Sequence, residues 1–458
     1  MEALHLEKHK YENGRKFNTK KAESPEEYLE TALEAEKFLA KYRREDADGI
    51  FWTKPRGDSF KGEDLTLYSG TAGVLAFYLK LYEVTGDGSY ESLIRSASVR
   101  LARKWRSLEV PDFYKAPSLK DELSPNHGLG GLAYVLLEAE EAFPDAEVSK
   151  ALDEIERHYA EVASRDAAGN AFWGGDISIL SDAGVLQALA ALYRRSGSAG
   201  TLELIKSAGE HYVSLAKEEE TGVSFTTHDE SYFPQGVVLP NYEFGTPAGG
   251  FTLSLLYDLT GEARYLALAL ESEKYFETLF SLQGKGFLVP YSLGQGRQSI
   301  FYFGNCGGPV GNSRFYAYLY RLTKDERYLH ILYKFSAGLD FWGGPQVHSE
   351  GYWNVGFCCG TAGLLQFYIG LYLYERRPEF LELAREAAEV ILGEKDLDEE
   401  GCAYWPMPWE RIKPDEFFAG IGYFEGAAGV ATSLLQLYAL EKGIHGWKRW
   451  IDDPFPAL

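Results

Sequence analysis

Cysteine is scarce in this chain: four residues among 458, at 306, 358, 359 and 402, too few for a disulfide scaffold. Positive charge is also in deficit, with 46 Lys and Arg against 68 Asp and Glu, a net charge of −22. A surface this acidic repels phosphate backbones and anionic lipid, so neither nucleic acid nor a membrane surface is an expected partner. Long apolar runs are missing, with one exception. Val355–Tyr374 carries no charge over twenty residues, but its four glycines, its glutamine and its tyrosines fit a buried helix better than a membrane span. The opening residues, MEALHLEKHK, lack the apolar stretch of an export signal, so a cytoplasmic chain with reduced thiols is expected. Metal binding or catalysis is then the expected use of its cysteines. Hydrophobic residues at 45% and charged residues at 25% suit a large folded core and exclude disorder as the main state.

A repeat runs through the whole chain. A pair of small residues followed by an apolar helix occurs at Ser69 (SGTAGVLAFYLKLY), His127 (HGLGGLAYVLLEAE), Leu180 (LSDAGVLQALAALY) and Phe244 (FGTPAGGFTLSLLY). It returns at Gly307 (GGPVGNSRFYAYLY), Cys359 (CGTAGLLQFYIGLY) and Glu425 (EGAAGVATSLLQLY). Nine positions after the second small residue of each pair stands a tyrosine in six of the seven copies, with Glu140 in the other. Successive copies lie 58, 53, 64, 63, 52 and 66 residues apart, room for two helices per unit. The second helix is predicted over Pro25–Arg44, Tyr90–Arg106, Ala146–Val162, Leu202–Lys217, Ala263–Phe280, Glu326–Phe341 and Pro378–Leu392, each apolar on one face. Ser24 and Pro25 offer a capped start to the first of these.

The motif helices are apolar nearly all round, which predicts burial. Seven buried and seven amphipathic helices predict an all-α fold, a single α/α toroid of seven hairpins with little strand. Residues 24–458 are expected to form this domain, after an N-terminal extension over 1–23. The stretch Gly222–Asn241 is long for a helix connection and predicts a lid or a short hairpin.

If the seven inner helices start at one end of the ring, their amino termini converge there, with partial positive charge and free N–H groups. The residues before each small pair then face one hollow. In ring order they are Ser69, His127, Leu180, Phe244, Gly307, Cys359 and Glu425, preceded by Tyr68, Asn126, Ile179, Glu243, Cys306, Cys358 and Phe424. Three of the four cysteines fall on this rim, in neighbouring repeats. Their sulfurs could meet about one metal ion, and soft thiolates select zinc, with a fourth position left for substrate. Buried structural thiols or a vicinal Cys358–Cys359 disulfide are the alternatives. Cys402 lies outside the pattern and reads as a plain thiol.

Seven GxxG-type hairpins carrying NCGGPVG and GFCCGTAG resemble the lanthionine synthetase C-like family, over about Ser24–Gly443. The last motif, GYFEGAAG, resembles the FEGxAG of eukaryotic members. The resemblance implies an α/α toroid with zinc on a Cys, Cys, His set. It also implies thiol activation for Michael-type addition to dehydroalanine or dehydrobutyrine, forming a thioether. A peptide, or a small thiol such as glutathione, is the implied substrate. No kinase-like dehydratase is fused to this chain, so a separate dehydratase is an expected partner.

Several positions depart from the family pattern. Cys358-Cys359-Gly360 replaces Cys-His-Gly, so the implied ligands are Cys306, Cys358 and Cys359. Zn²⁺ with three thiolates has formal charge −1, which would leave an incoming sulfur more nucleophilic. Phe244 stands where the family has an acid–base histidine, Tyr302 near the place of an arginine, and Gly307 in place of an aromatic. Asp176 lies one residue out of register with a family aspartate. Candidates for moving the proton are therefore His127, Asp176, His228 and Tyr302, each of which also suits a capping, loop or packing role. Tyr68, Glu243, Phe244, Phe424 and Glu425 are expected to line the hollow and contact substrate. Two other functions fit the same toroid. One is a non-catalytic scaffold that keeps zinc; the other is a carbohydrate-active enzyme using Glu425, Glu243 and Asp176, since glycoside cleavage needs paired carboxylates.

Overall fold

Each of the seven motifs starts a helix, and each amphipathic segment forms another. The structure, a computed structural model, describes residues 6, 16–54, 63–110, 116–227, 236–294, 300–348, 354–408, 413–445 and 447–449. The helices are α1 (Glu26–Lys41), α2 (Thr71–Thr85), α3 (Glu91–Lys104), α4 (Leu129–Ala142), α5 (Ala146–Glu161), α6 (Asp182–Ser196) and α7 (Ala199–Ser214). They continue as α8 (Thr246–Thr260), α9 (Ala263–Glu277), α10 (Pro309–Thr323), α11 (Glu326–Phe341), α12 (Thr361–Glu375), α13 (Pro378–Gly393) and α14 (Ala427–Glu441).

The even-numbered helices form the inner ring. Each packs on the next, and α14 packs on α2, so the ring closes. Helix α12, from the uncharged run, is buried without interruption from Thr361 to Leu371. No helix among the described residues is long and apolar enough to cross a membrane. The odd-numbered helices form the outer layer and bury one face. In α5, Val148, Ala151, Leu152, Ile155 and Tyr159 point inward, and the Asp145 side chain caps the helix by accepting from the Glu147 and Val148 amides. The seventh hairpin joins the two ends of the described chain, because α1 packs on α14.

The inner-helix starts explain the motif. A Cβ on Gly429 would sit 1.6 Å from the Tyr423 carbonyl oxygen, so only glycine allows the preceding turn to fold back on the helix. The recurring tyrosines close the other end: the cap N–H groups of α2, α6, α8, α10, α12 and α14 donate to the carbonyls of Tyr82, Tyr193, Tyr257, Tyr320, Tyr372 and Tyr438.

Among the described residues, strand is confined to six two-stranded antiparallel sheets. They are β1–β2 (Arg43–Asp46, Gly49–Trp52), β3–β4 (Ser164–Arg165, Ala171–Phe172), β5–β6 (Lys217–Glu218, Val223–Ser224), β7–β8 (Ser281–Gln283, Gly286–Leu288), β9–β10 (Asp396–Leu397, Ala403–Tyr404) and β11–β12 (Met407–Pro408, Phe417–Phe418). Two expectations need correction here. Helix α1 stops at Lys41 rather than Arg44 because Arg43–Asp46 pairs with Gly49–Trp52, and no side chain caps its start. Within Gly222–Asn241, the hairpin strand ends at Ser224; beyond it Thr226 bridges to Gly245 and Val238 to Leu293. Residues 228–235, including His228, lie outside the described residues. Before α1, Phe17 is buried, and its amide donates to the Gln346 carbonyl at 2.9 Å.

Candidate metal centre

The turns before the inner helices are joined edge to edge by backbone hydrogen bonds. The Phe424 amide donates to the Tyr68 carbonyl at 3.0 Å, Cys358 to Phe424 at 3.0 Å, and Asn305 to Cys358 at 2.6 Å. On the far side, Ile179 donates to Glu243 at 3.2 Å. Each turn is braced internally as well. Asp64, Asp176, Asn241 and Asn354 each accept, through Oδ1, from the amide two residues on. The inner-helix amino termini therefore share one end of the toroid.

This belt brings the cysteines together. Gly304 lies so close to Cys359 that a Cβ on it would be 2.5 Å from the Cys359 Cα, so the turn carrying Cys306 is pressed onto the neighbouring one. Cys306 Sγ is 3.2 Å from Cys359 Sγ, which is 3.6 Å from Cys358 Sγ. All three sulfurs lie within 4.8 Å of one another, and all are free thiols. Tetrahedral zinc with bonds of about 2.3 Å sets ligand sulfurs roughly 3.8 Å apart, which matches this spacing. The donor set fits zinc chemically too, three soft sulfurs with a fourth position left over. Without a cation the sulfurs cannot all ionise. Hydrogen bonds from Cys358 and Cys359 hold the Cys306 thiol well below its ordinary range, and the same bonds push Cys358 and Cys359 up.

The other rim residues are distributed as follows. Glu425 is buried, and its Oε2 accepts from Asn354 Nδ2 at 2.8 Å. Burial pushes its carboxyl up to about 8, against the Asn354 hydrogen bond and with help from the Cys306 charge. Glu243 is also buried and pushed well up, first by burial and then by the charges of Cys306 and Asp121. Tyr68 stacks on Phe424 with ring centroids 5.1 Å apart and lies 4.2 Å from the His127 ring. Phe424 and Phe244 are buried in the core behind the rim. Asp176 accepts from the Ser178 amide at 2.9 Å and Thr227 Oγ1 at 3.0 Å, so it holds its own turn. Cys402 is buried in the turn just before β10 and is not part of the cluster.

Tyr302 has a companion that sequence reasoning missed. Its ring lies 4.0 Å from that of Tyr291, and both rings fill the space where Gly307 has no side chain, beside Cys306. Two further residues were missed, Asn354, which holds Glu425, and Asp121, which holds His127. The signal for Asn354 was an Asx residue recurring a few positions before the small pair. Asp121 sits outside that register, and Tyr291 had no local signal.

A family model described as lanthionine synthetase C-like protein matches residues 62–447. Among solved structures, one named nisin cyclase superposes with TM-score 0.60 at 16% identity, covering 92% of this chain and 94% of that one, a likeness that shows the fold. A family 76 glycoside hydrolase from a bovine Bacteroides thetaiotaomicron strain matches with TM-score 0.48 at 14% identity, covering 92% of this chain and 78% of that one. A cellobiose 2-epimerase from Spirochaeta thermophila matches with TM-score 0.46 at 13% identity, covering 78% and 100%. No curated protein sequence matches the chain.

Proposed function

The chain belongs to the lanthionine synthetase C-like family, and from that premise we propose that it adds thiols to dehydroamino acids in a peptide, with zinc held by Cys306, Cys358 and Cys359. One observation carries this reading: three free sulfurs from two adjacent turns stand within 4.8 Å of one another. Zinc bound there would act as a Lewis acid, bringing a substrate thiol from its usual pKa of about 8.5 to the thiolate at neutral pH. The name of the fold relative, a cyclase, supports ring closure within one peptide as the form of the reaction.

The chain's own residues orient the reactants. The Tyr291–Tyr302 pair packs beside Gly307, next to Cys306, and the Tyr68–Phe424 stack adjoins the Cys358 turn through the Phe424 carbonyl, so aromatic rings border the turns that carry the sulfurs. Glycine caps at Gly128, Gly245, Gly308, Gly360 and Gly426 start their helices with no side chain on the cap. Their N–H ends supply partial positive charge for the enolate that forms as sulfur bonds to the β-carbon.

The test uses a synthetic peptide with one dehydroalanine and one cysteine. Thioether formation above a zinc-stripped control is expected; equal rates with and without zinc would exclude the reading.

A further inference from the structure

With Phe244 in the fourth rim turn, that position cannot move a proton, yet the addition needs two transfers. The thiol must lose its proton, and the α-carbon must gain one. Resting on the function proposed above, we propose that His127, oriented by Asp121, performs both transfers from the second turn of the rim.

His127 immediately precedes Gly128, the cap of α4, the place on the motif that Cys359 occupies before Gly360. Its Nδ1 lies 3.0 Å from Asp121 Oδ1 and 2.8 Å from Oδ2. Asp121 is itself fixed, accepting from Ser124 Oγ at 2.7 Å, and Ser124 Oγ also accepts from the His127 amide at 3.3 Å. His127 is 4% exposed and Asp121 6%, so the couple is built into the protein. It is also connected to the sulfurs. The His127 ring lies against Tyr68, Tyr68 stacks on Phe424, and the Phe424 carbonyl accepts from the Cys358 amide at 3.0 Å.

A histidine whose Nδ1–H is held by a buried carboxylate exchanges protons through Nε2, and the carboxylate stabilises the imidazolium. The chemistry balances without a further reagent. Nε2 takes the proton of the substrate thiol; the sulfur lone pair forms the C–S bond; the C=C π pair moves to give the enolate. The imidazolium then returns the proton to the α-carbon and becomes neutral again. In this account His127 is the catalytic residue and Asp121 a positioning residue.

The experiment uses the full zinc-loaded chain, its His127→Gln and Asp121→Asn variants, and the dehydroalanine–cysteine peptide. Zinc content and KM should stay near those of the parent, while kcat falls by about 10²–10³ in His127→Gln, and less in Asp121→Asn. The second readout is the configuration at the new α-carbon. The parent should give one epimer, and the residual product of His127→Gln a mixture, because solvent then delivers the proton. Asp121→Asn changes one atom and covers the case in which His127→Gln fails to fold. Parental kcat and a single epimer in either folded variant would overturn the assignment while leaving the zinc reading intact. A zinc-loaded parent that forms no thioether would overturn both.

Discussion

At the residue scale, the proposed zinc site would carry a third thiolate, Cys359, where the family resemblance implies a histidine. Three sulfurs would put more negative charge on a bound cation than two sulfurs and an imidazole, so an incoming sulfur would be held less tightly and attack faster. The Cys359→His variant is therefore expected to keep its zinc but add thiols several-fold more slowly, read from single-turnover rates. A rate equal to or above the parent's would contradict this. A second prediction concerns Asn354, whose Nδ2 donates to the buried Glu425 carboxyl at 2.8 Å. Asn354→Ala leaves that buried carboxyl short of a partner and should destabilise the fold by about 1–3 kcal/mol, seen as a lower urea midpoint. The cysteines were legible in the sequence because they occupy fixed positions in a local motif. Asn354 had a signal only in the Asx residue that recurs before the small pair, and Asp121 and Tyr291 had none, since the chain path between repeats brings them in and no periodicity marks that path.

At the element scale, the helix ends hold two testable features. Helices α2, α6 and α8 end in glycines with positive φ, whereas α10 ends at Lys324 (φ 57°) and α12 at Arg376 (φ 56°). A side chain in the left-handed region costs roughly 1 kcal/mol, so Lys324→Gly should stabilise the protein by about that much in urea unfolding, less the contact Lys324 makes over Tyr320. Near the end of α4, burial pushes Glu138 up to about 7, against the pull of Lys80. The raised value means that the ionised carboxyl is penalised in the fold. This penalty is absent below the unfolded pKa of about 4.5, grows as pH rises towards 7 and is complete above it. Glu138→Gln should therefore match the parent at pH 4 and exceed its stability by about 2 kcal/mol at pH 8. A constant difference across that range would contradict the assignment. The short hairpins had a readable signal in their turns, Asp46 to Gly49, Asp166 to Gly169 and Asp398 to Gly401, although only minor strand was expected.

At the scale of the whole molecule, the ring was legible because the repeat carries it: the same motif recurring seven times can bury its helices only against one another. Closure through α1 was harder to read, since its partner α14 stands at the other end of the sequence. Phe38 of α1 is fully buried there, between Tyr42 and Tyr404 at 5.2 and 5.4 Å. Phe38→Ala should cost about 3–5 kcal/mol, read from the urea midpoint, by loosening the hairpin that seals the ring. The belt of hydrogen-bonded turns would make metal binding at the proposed site depend on that closure. Cys306 and Cys358 belong to different hairpins and are registered by the Asn305–Cys358 backbone bond.

Zinc per chain in freshly purified protein, measured beside Cys306→Ala, tests the central claim most directly. About one equivalent in the parent and little in the variant is the predicted result. Less than about half an equivalent in the parent, or equal zinc in both proteins, would contradict a site built from these three sulfurs.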